Sequence, residues 1–320
     1  MKKVIYSCLL IIIYSCSKDS VDTFNPMLWS ELNSPTSMSL VDVEFFDEDF
    51  GVTCGGISTL MKTENGGETW EELNINVSAS FNTVFINNRN EFFTSRKGLY
   101  KTTDGGITFN EIGNLSSQFG TIFHIHFFSP QTGVIVKGAK VLRTENGGLS
   151  WNVVYSGNIN ATRLEIASNE TIYLAGGSTY DSVSFGKLHK SINGGQTWQE
   201  LDLPLPIRNF EIRSIEFINE NYGFIATTNR NIYKTIDGGV NWTLVASGYV
   251  GSIADIHFLN ENEGYMISGN SIYKSTDGGF SWNIEYEHEA IGFHLISMTS
   301  TPNGKLYAVG QDGVILKRDE

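Results

Sequence analysis

The chain has 320 residues, with 35 Asp and Glu against 22 Lys and Arg and a formal net charge of −13. An acidic surface of this size repels nucleic acid and anionic lipid headgroups, which removes nucleic-acid binding from the leading function classes. Three cysteines do not make a disulfide framework, and no Cys-x-x-Cys, Cys-x-x-Cys-His or strand-linked Gly-x-Gly-x-x-Gly supports a redox role or implies a cofactor.

Lys2 and Lys3 precede an apolar run from Val4 to Tyr14 that is too short to cross a bilayer as a mature helix, so residues 1–15 read as a signal peptide. The run closes on Ile13-Tyr14-Ser15-Cys16, which resembles the bacterial lipobox. The resemblance implies lipidation of Cys16 as the mature N-terminus, held by several acyl chains. The other reading is an ordinary secretory signal with a chance cysteine. Residues 16–26 are polar and aperiodic and read as a tether. Loss of Lys2 and Lys3 takes the net charge from −13 to −15. Ser17 after Cys16 leans toward outer-membrane sorting at the cell envelope, with the periplasmic or surface side left open. Cys54, alone in an apolar stretch, reads as a small core residue.

From residue 27 onward the chain repeats. Seven alternating segments begin its units: Leu40–Phe45, Asn82–Phe85, His124–Phe127, Arg163–Ile166, Ser214–Phe217, Asp255–Phe258 and Leu295–Met298. After each come a polar turn and further strand signals, and six units then carry a Gly-Gly motif. In order these are Lys62-Thr-Glu-Asn-Gly-Gly-Glu-Thr-Trp70, Lys101-Thr-Thr-Asp-Gly-Gly-Ile-Thr-Phe109, Arg143-Thr-Glu-Asn-Gly-Gly-Leu-Ser-Trp151, Lys190-Ser-Ile-Asn-Gly-Gly-Gln-Thr-Trp198, Lys234-Thr-Ile-Asp-Gly-Gly-Val-Asn-Trp242 and Lys274-Ser-Thr-Asp-Gly-Gly-Phe-Ser-Trp282. Their aromatic ends lie 39, 42, 47, 44 and 40 residues apart, the length of a four-stranded propeller blade. The seventh unit stops at Glu320 without a motif. Trp29-Ser-Glu-Leu32 reads like Trp70-Glu-Glu-Leu73, so the N-terminal strand is expected to complete the last blade and close the ring. The expectation is an all-β, seven-bladed propeller over residues 27–320; six blades with a ragged seventh is the alternative.

The motif resembles the Asp-box, or BNR repeat. Asn65, Asp104, Asn146, Asn193, Asp237 and Asp277 would accept backbone N–H groups of their own turns, while Gly-Gly permits positive φ. These are structural residues. Among Asp-box proteins, the run from Trp29 to Arg318 is most similar to the photosystem II stability/assembly factor family. That resemblance implies a non-enzymatic, protein-binding propeller. The chain is expected to depart from the photosynthetic pattern in two ways: it carries a lipobox, and it is strongly acidic with scattered arginines that form no evident patch in the sequence.

Two places are candidate binding sites. The inner strand of each blade borders the channel, which assigns Asp42, Glu44, His124, His126, Arg163, Glu165, Glu216, Asp255 and His257 to its wall, either as a ligand site or as a solvated wall of paired charges. His124 and His126 with Glu165 have metal-ligand chemistry, but their spacing is unspecific and no metal is assigned. The second place is the face opposite the box turns. There a Gly/Ser-rich loop from Gly176 to Gly186 and the connection Asp202 to Arg213 offer Tyr180, Phe185, Arg208 and Phe210 as contacts. The expected function is a lipid-anchored, monomeric binding or assembly scaffold for a protein or glycan partner. The alternative is a sialidase-like glycoside hydrolase with Glu165 and Glu216 as its carboxylates. It lacks an Arg-Ile-Pro-like segment before the first box, since no Arg precedes Arg89.

Overall fold

The computed structural model describes residues 28–117, 120–157, 159–180, 183–203, 210–249, 251–290 and 292–318. Seven four-stranded antiparallel sheets are arranged as blades around a central channel. Six blades follow the chain directly, their inner strands being Leu40–Phe45, Thr83–Ile86, Ile122–Phe127, Asn160–Ile166, Ile212–Phe217 and Ile253–Phe258. The seventh contains Leu295–Ser300, Leu306–Gly310 and Ile315–Arg318, and its outer strand is Trp29–Glu31. Trp29 pairs with Arg318 and Glu31 with Leu316, so the two ends of the propeller meet in one sheet, as the Trp29 repeat foretells.

Each box folds by the same small set of bonds. In the first, Thr63 Oγ1 accepts the Gly67 N–H at 2.9 Å and donates to Asn65 Oδ1 at 3.0 Å, and Asn65 Oδ1 accepts the Thr69 N–H at 3.0 Å. Gly66 and Gly67 have φ of 66° and 85°, where a side chain would be strained. The Gly66 N–H also donates to the Asp49 carbonyl at 2.8 Å, pinning the box to the turn between the first two strands of its blade. Box turns and first turns therefore share one face of the ring, and the remaining connections share the other.

Blades hold to one another through aromatic stacks between consecutive blades. Phe93 stacks on Phe127 at 4.5 Å, Tyr173 on Phe217 at 3.7 Å, Phe224 on Phe258 at 3.7 Å and Tyr307 on Phe45 at 3.9 Å. The leading cation of the box adds a polar clamp. Lys62 Nζ donates to the Gly105 carbonyl at 3.2 Å, Arg143 Nε to Gly194 at 3.0 Å, and Lys190 Nζ to Gly238 at 3.1 Å, each reaching the next blade's box. Cys54 is fully buried.

The closing blade has its own latch. Glu285, on the outer strand of blade 6, accepts from Trp29 Nε1 at 2.9 Å and from both Nε and Nη2 of Arg318 at 3.0 Å. Because the carboxylate is nearly buried, its removal leaves three N–H donors on two side chains without their acceptor. Glu285→Ala is expected to cost about 2–4 kcal/mol in urea unfolding of the full chain. A loss below about 0.5 kcal/mol, the scale of an ordinary surface substitution, would show that the latch is not holding the seam.

Candidate functional site

Inner strands set the geometry of the channel. Six of the seven carry a register shift at the same place, between Leu40 and Asp42, Ile122 and His124, Ala161 and Arg163, Ile212 and Ser214, Ile253 and Asp255, and Leu295 and Ser297. A β-bulge of this kind sets two residues against one, so an extra residue is inserted ahead of the alternation that faces the channel. The inserted residues include Phe123, Arg213, Ala254 and Ile296, and all four line a cavity of about 420 Å³. Arg163, Glu211, Ser252 and His294 complete its polar lining, with Ile212 and Leu295 among its apolar walls. The cavity opens on the face away from the boxes, since these residues lie at the starts of inner strands. Sequence alternation places Arg213 and His294 in no site, because counting every second residue steps over a bulge.

Below the mouth lies a narrower cavity of about 190 Å³, lined by Asp42, His124, Arg163, Glu165, Ser214, Glu216, Asp255 and Ser297 among others. Six of the nine sequence-assigned channel residues thus wall one space, and Arg163 lines both cavities. The carboxylates along the channel have a second occupation. Asp42 Oδ2 accepts the Val84 N–H at 2.9 Å, Asp255 Oδ2 the Met298 N–H at 3.1 Å, Glu44 Oε2 the Ile86 N–H at 3.2 Å and Glu165 Oε1 the Phe217 N–H at 3.1 Å. Every one of these donors belongs to the next blade. Adjacent inner strands share no backbone ladder, so an acid on one strand satisfies an amide on its neighbour.

Burial pushes the Asp42 carboxyl above its ordinary range, opposed by its bonds to Val84 and Thr83 and by the nearby Arg163 charge. Burial likewise raises Asp255. Glu44 is raised further, by burial and then by repulsion from Asp42, and Glu165 by burial and then by Glu216. His257 behaves differently: burial alone lowers its pKa, but Glu216, 3.2 Å from Nδ1, raises it overall. Its Nε2 meets Ser300 Oγ at 2.9 Å. His126 sits between the rings of Phe85 and Phe128 at 5.1 and 4.9 Å, and burial lowers its pKa to about 4. His124 and His126 are separated by these environments, and no group of three His, Cys, Asp or Glu able to hold a metal occurs among the described residues.

On the looped face, the segment read as a Gly/Ser-rich loop is a paired hairpin. Strands Ile172–Tyr180 and Val183–Ser191 run nine residues each, with Ser178 opposite Phe185 and Tyr180 opposite Val183. Gly177 and Gly186 are where the arm passes other side chains: a Cβ on Gly186 would meet the Phe210 ring at 2.9 Å, and one on Gly177 would meet Glu211. Phe210 is only 2% exposed, which corrects its assignment as a contact residue; it fills the space that Gly186 leaves at the base of the arm. Phe185 is half-buried on the hairpin. Arg208 lies outside the described residues. Arg96 and Lys97 line a further cavity, of about 520 Å³, on the same face.

The raised Glu44 predicts a pH-dependent substitution effect. Its folded pKa lies above the unfolded value of about 4.5, so its contribution is present below that value and is lost as pH rises through the folded pKa. Glu44→Gln keeps an oxygen for Ile86 and removes the charge. Its Tm should exceed wild type by a few degrees at pH 8 and match it near pH 4.5. A lower Tm at both pH values would mean that the ionised carboxylate is required.

The chain was compared with known proteins. The family described as photosynthesis system II assembly factor YCF48 matches residues 21–187. The photosystem II assembly lipoprotein Ycf48 of Synechococcus sp. (strain CC9902) is 25% identical over 206 residues, which are 61% of this chain and 58% of that protein. The chain therefore matches less than two thirds of that relative's length. A solved structure of YCF48 bound to D1 peptide superposes with a TM-score of 0.77 at 20% identity, covering 93% of this chain and 98% of that one. An ancestral GH74 enzyme superposes with a TM-score of 0.70 at 19% identity, over 90% of this chain and 45% of the enzyme. At these identities the structural likenesses show the fold alone.

Proposed function

Since the chain belongs to the photosynthesis system II assembly factor YCF48 family, we propose that it is a non-enzymatic scaffold that holds a peptide segment of a partner protein at the looped-face mouth of its channel. One observation carries this reading: the cavity of about 420 Å³ sets Arg163, Arg213 and His294, with the single acid Glu211, around Phe123, Leu295 and Ile296. An arginine beside an apolar floor suits an extended peptide with a carboxylate, whose charge takes Arg213 and whose side chains take the floor. The D1 peptide held by a similarly folded relative belongs to that chemical class of ligand, a protein segment.

The lipobox at Cys16 supports an anchored form at the cell envelope, on the outer membrane. On this reading residues 1–15 are a signal peptide, 16–26 a tether and 27–320 the propeller, which acts as a monomer. A protein partner suits the apolar floor better than a glycan. The hydrolase alternative is not favoured. Glu165 gives an oxygen to Phe217 N–H and Glu216 lies against His257, so neither carboxylate stands free to flank a glycosidic bond.

Photocrosslinking from an unnatural residue at Ser252, on the rim of the cavity, tests the proposal in intact membranes. A discrete protein adduct is expected, weakened about tenfold by Arg213→Ala, the loss of one charge-assisted hydrogen bond. Adducts that form equally well without Arg213, or only from positions on the box face, would refute this site.

A further inference from the structure

Twelve large apolar side chains are exposed among the described residues, and they are unevenly placed. Six of them, Ile107, Leu149, Ile192, Ile236, Val240 and Phe280, sit at the tips of the box turns of blades 2 to 6 and are 60–79% exposed. A seventh, Phe46, sits in the first turn of blade 1 on the same face. Isolated surface apolar residues are ordinary, but a series carried at equivalent tips of five consecutive blades is a pattern. The box accounts for none of it. Its fixed positions are the Thr or Ser, the Asp or Asn, the two Gly and the aromatic, whereas these residues occupy the two variable positions.

The path of the chain adds an independent observation. In six blades the third strand runs into the box turn, as Leu60–Thr63 does. Ile315–Arg318 is the third strand of blade 7, so its Arg318 end lies on the box face. Trp29 pairs with Arg318, so the chain before Leu28 joins the propeller on that face. From Cys16 to Leu28 is twelve residues, a reach of at most about 40 Å. A lipid on Cys16 would hold the apolar tips toward the membrane and the basic cavity away from it.

We propose that the box face docks on a bilayer of zwitterionic lipid, with the tips of blades 2 to 6 inserted at the headgroup boundary. This rests on the anchored reading of Cys16 given above. Charge selects the lipid. The face also carries Asp47, Asp104, Asp237 and Asp277, whose carboxylates are engaged with Arg89 or with their own turns, and among the described residues the cations that lead the boxes are taken up by carbonyls of the next blade or by acids, which leaves little to recruit anionic headgroups. Insertion driven by apolar area gains little from lipid charge.

The test uses the full chain in its membrane-derived form. A polarity-sensitive fluorophore is placed at Ile107→Cys, at Phe280→Cys, or at Ile57→Cys on the opposite face; Cys54 is buried and does not compete, and the chain without an added cysteine, labelled alongside, gives the signal of an unacylated Cys16 to be subtracted. On phosphatidylcholine vesicles the emission should shift to the blue at the two tips and stay unchanged at Ile57. The double variant Ile107→Asp/Phe280→Asp should bind vesicles at least about tenfold more weakly, and added phosphatidylglycerol should not strengthen binding. Unshifted tips would overturn the proposal, as would a shift that follows protein concentration without vesicles, which marks a second copy as the occupant. Mass spectrometry of the N-terminal peptide decides separately whether Cys16 is acylated. An acylated chain with unshifted tips refutes the docking face alone, and shifted tips on an unacylated chain refute the anchor alone.

Discussion

The ring depends on one pairing between the two ends of the propeller. Each blade buries its aromatic residues against the next, so a blade at an open end would expose half of its core. The three-residue strand Trp29–Glu31 removes that open end by lying beside Ile315–Arg318. Around this seam the bonds are dense. Tyr307 Oη donates to the Gly66 carbonyl at 2.8 Å, Thr301 Oγ1 to Glu48 at 3.0 Å and the Asn303 N–H to the same carboxylate at 3.0 Å, all between blade 7 and blade 1. Glu285 does the corresponding work between blades 6 and 7.

Much of this was legible in the sequence, because the period, the Gly-Gly turns and Trp29 all follow local rules. Six boxes and seven alternating segments fix the blade number, and a stray Trp-x-x-Leu locates the missing strand. The bulges were not legible. One inserted residue in each of six inner strands leaves no mark on composition, yet it moves Arg213 into the mouth of the channel. The hairpin arm was missed for the opposite reason: its glycines and serines look like a loop, while the backbone pairs through all nine positions. Phe210 reads as a surface aromatic until Gly186 is seen to make room for it.

Chemistry is distributed by face. Acids gather at the box turns and along the channel, while Arg96 with Lys97, and Arg213 with Arg163 and Glu211, line two separate cavities where the other connections cross. A chain that is acidic overall can therefore still present a cationic mouth, and net charge alone does not report it. The channel acids are structural as well, each satisfying an amide of the next blade. This ties the tuning of any ligand site to the cohesion of the ring.

The seam also has a mechanical side. Tension on the chain ahead of Leu28 would load the Trp29 end of a short antiparallel strand, so its hydrogen bonds to Ile315–Arg318 would be broken in sequence and not in parallel. Peeling of this kind is the weakest way to pull on a sheet edge. The clasp formed by Glu285 with Trp29 and Arg318 sits at the point where the peel would begin. A single carboxylate thus stands where a load on the tether would first reach the ring.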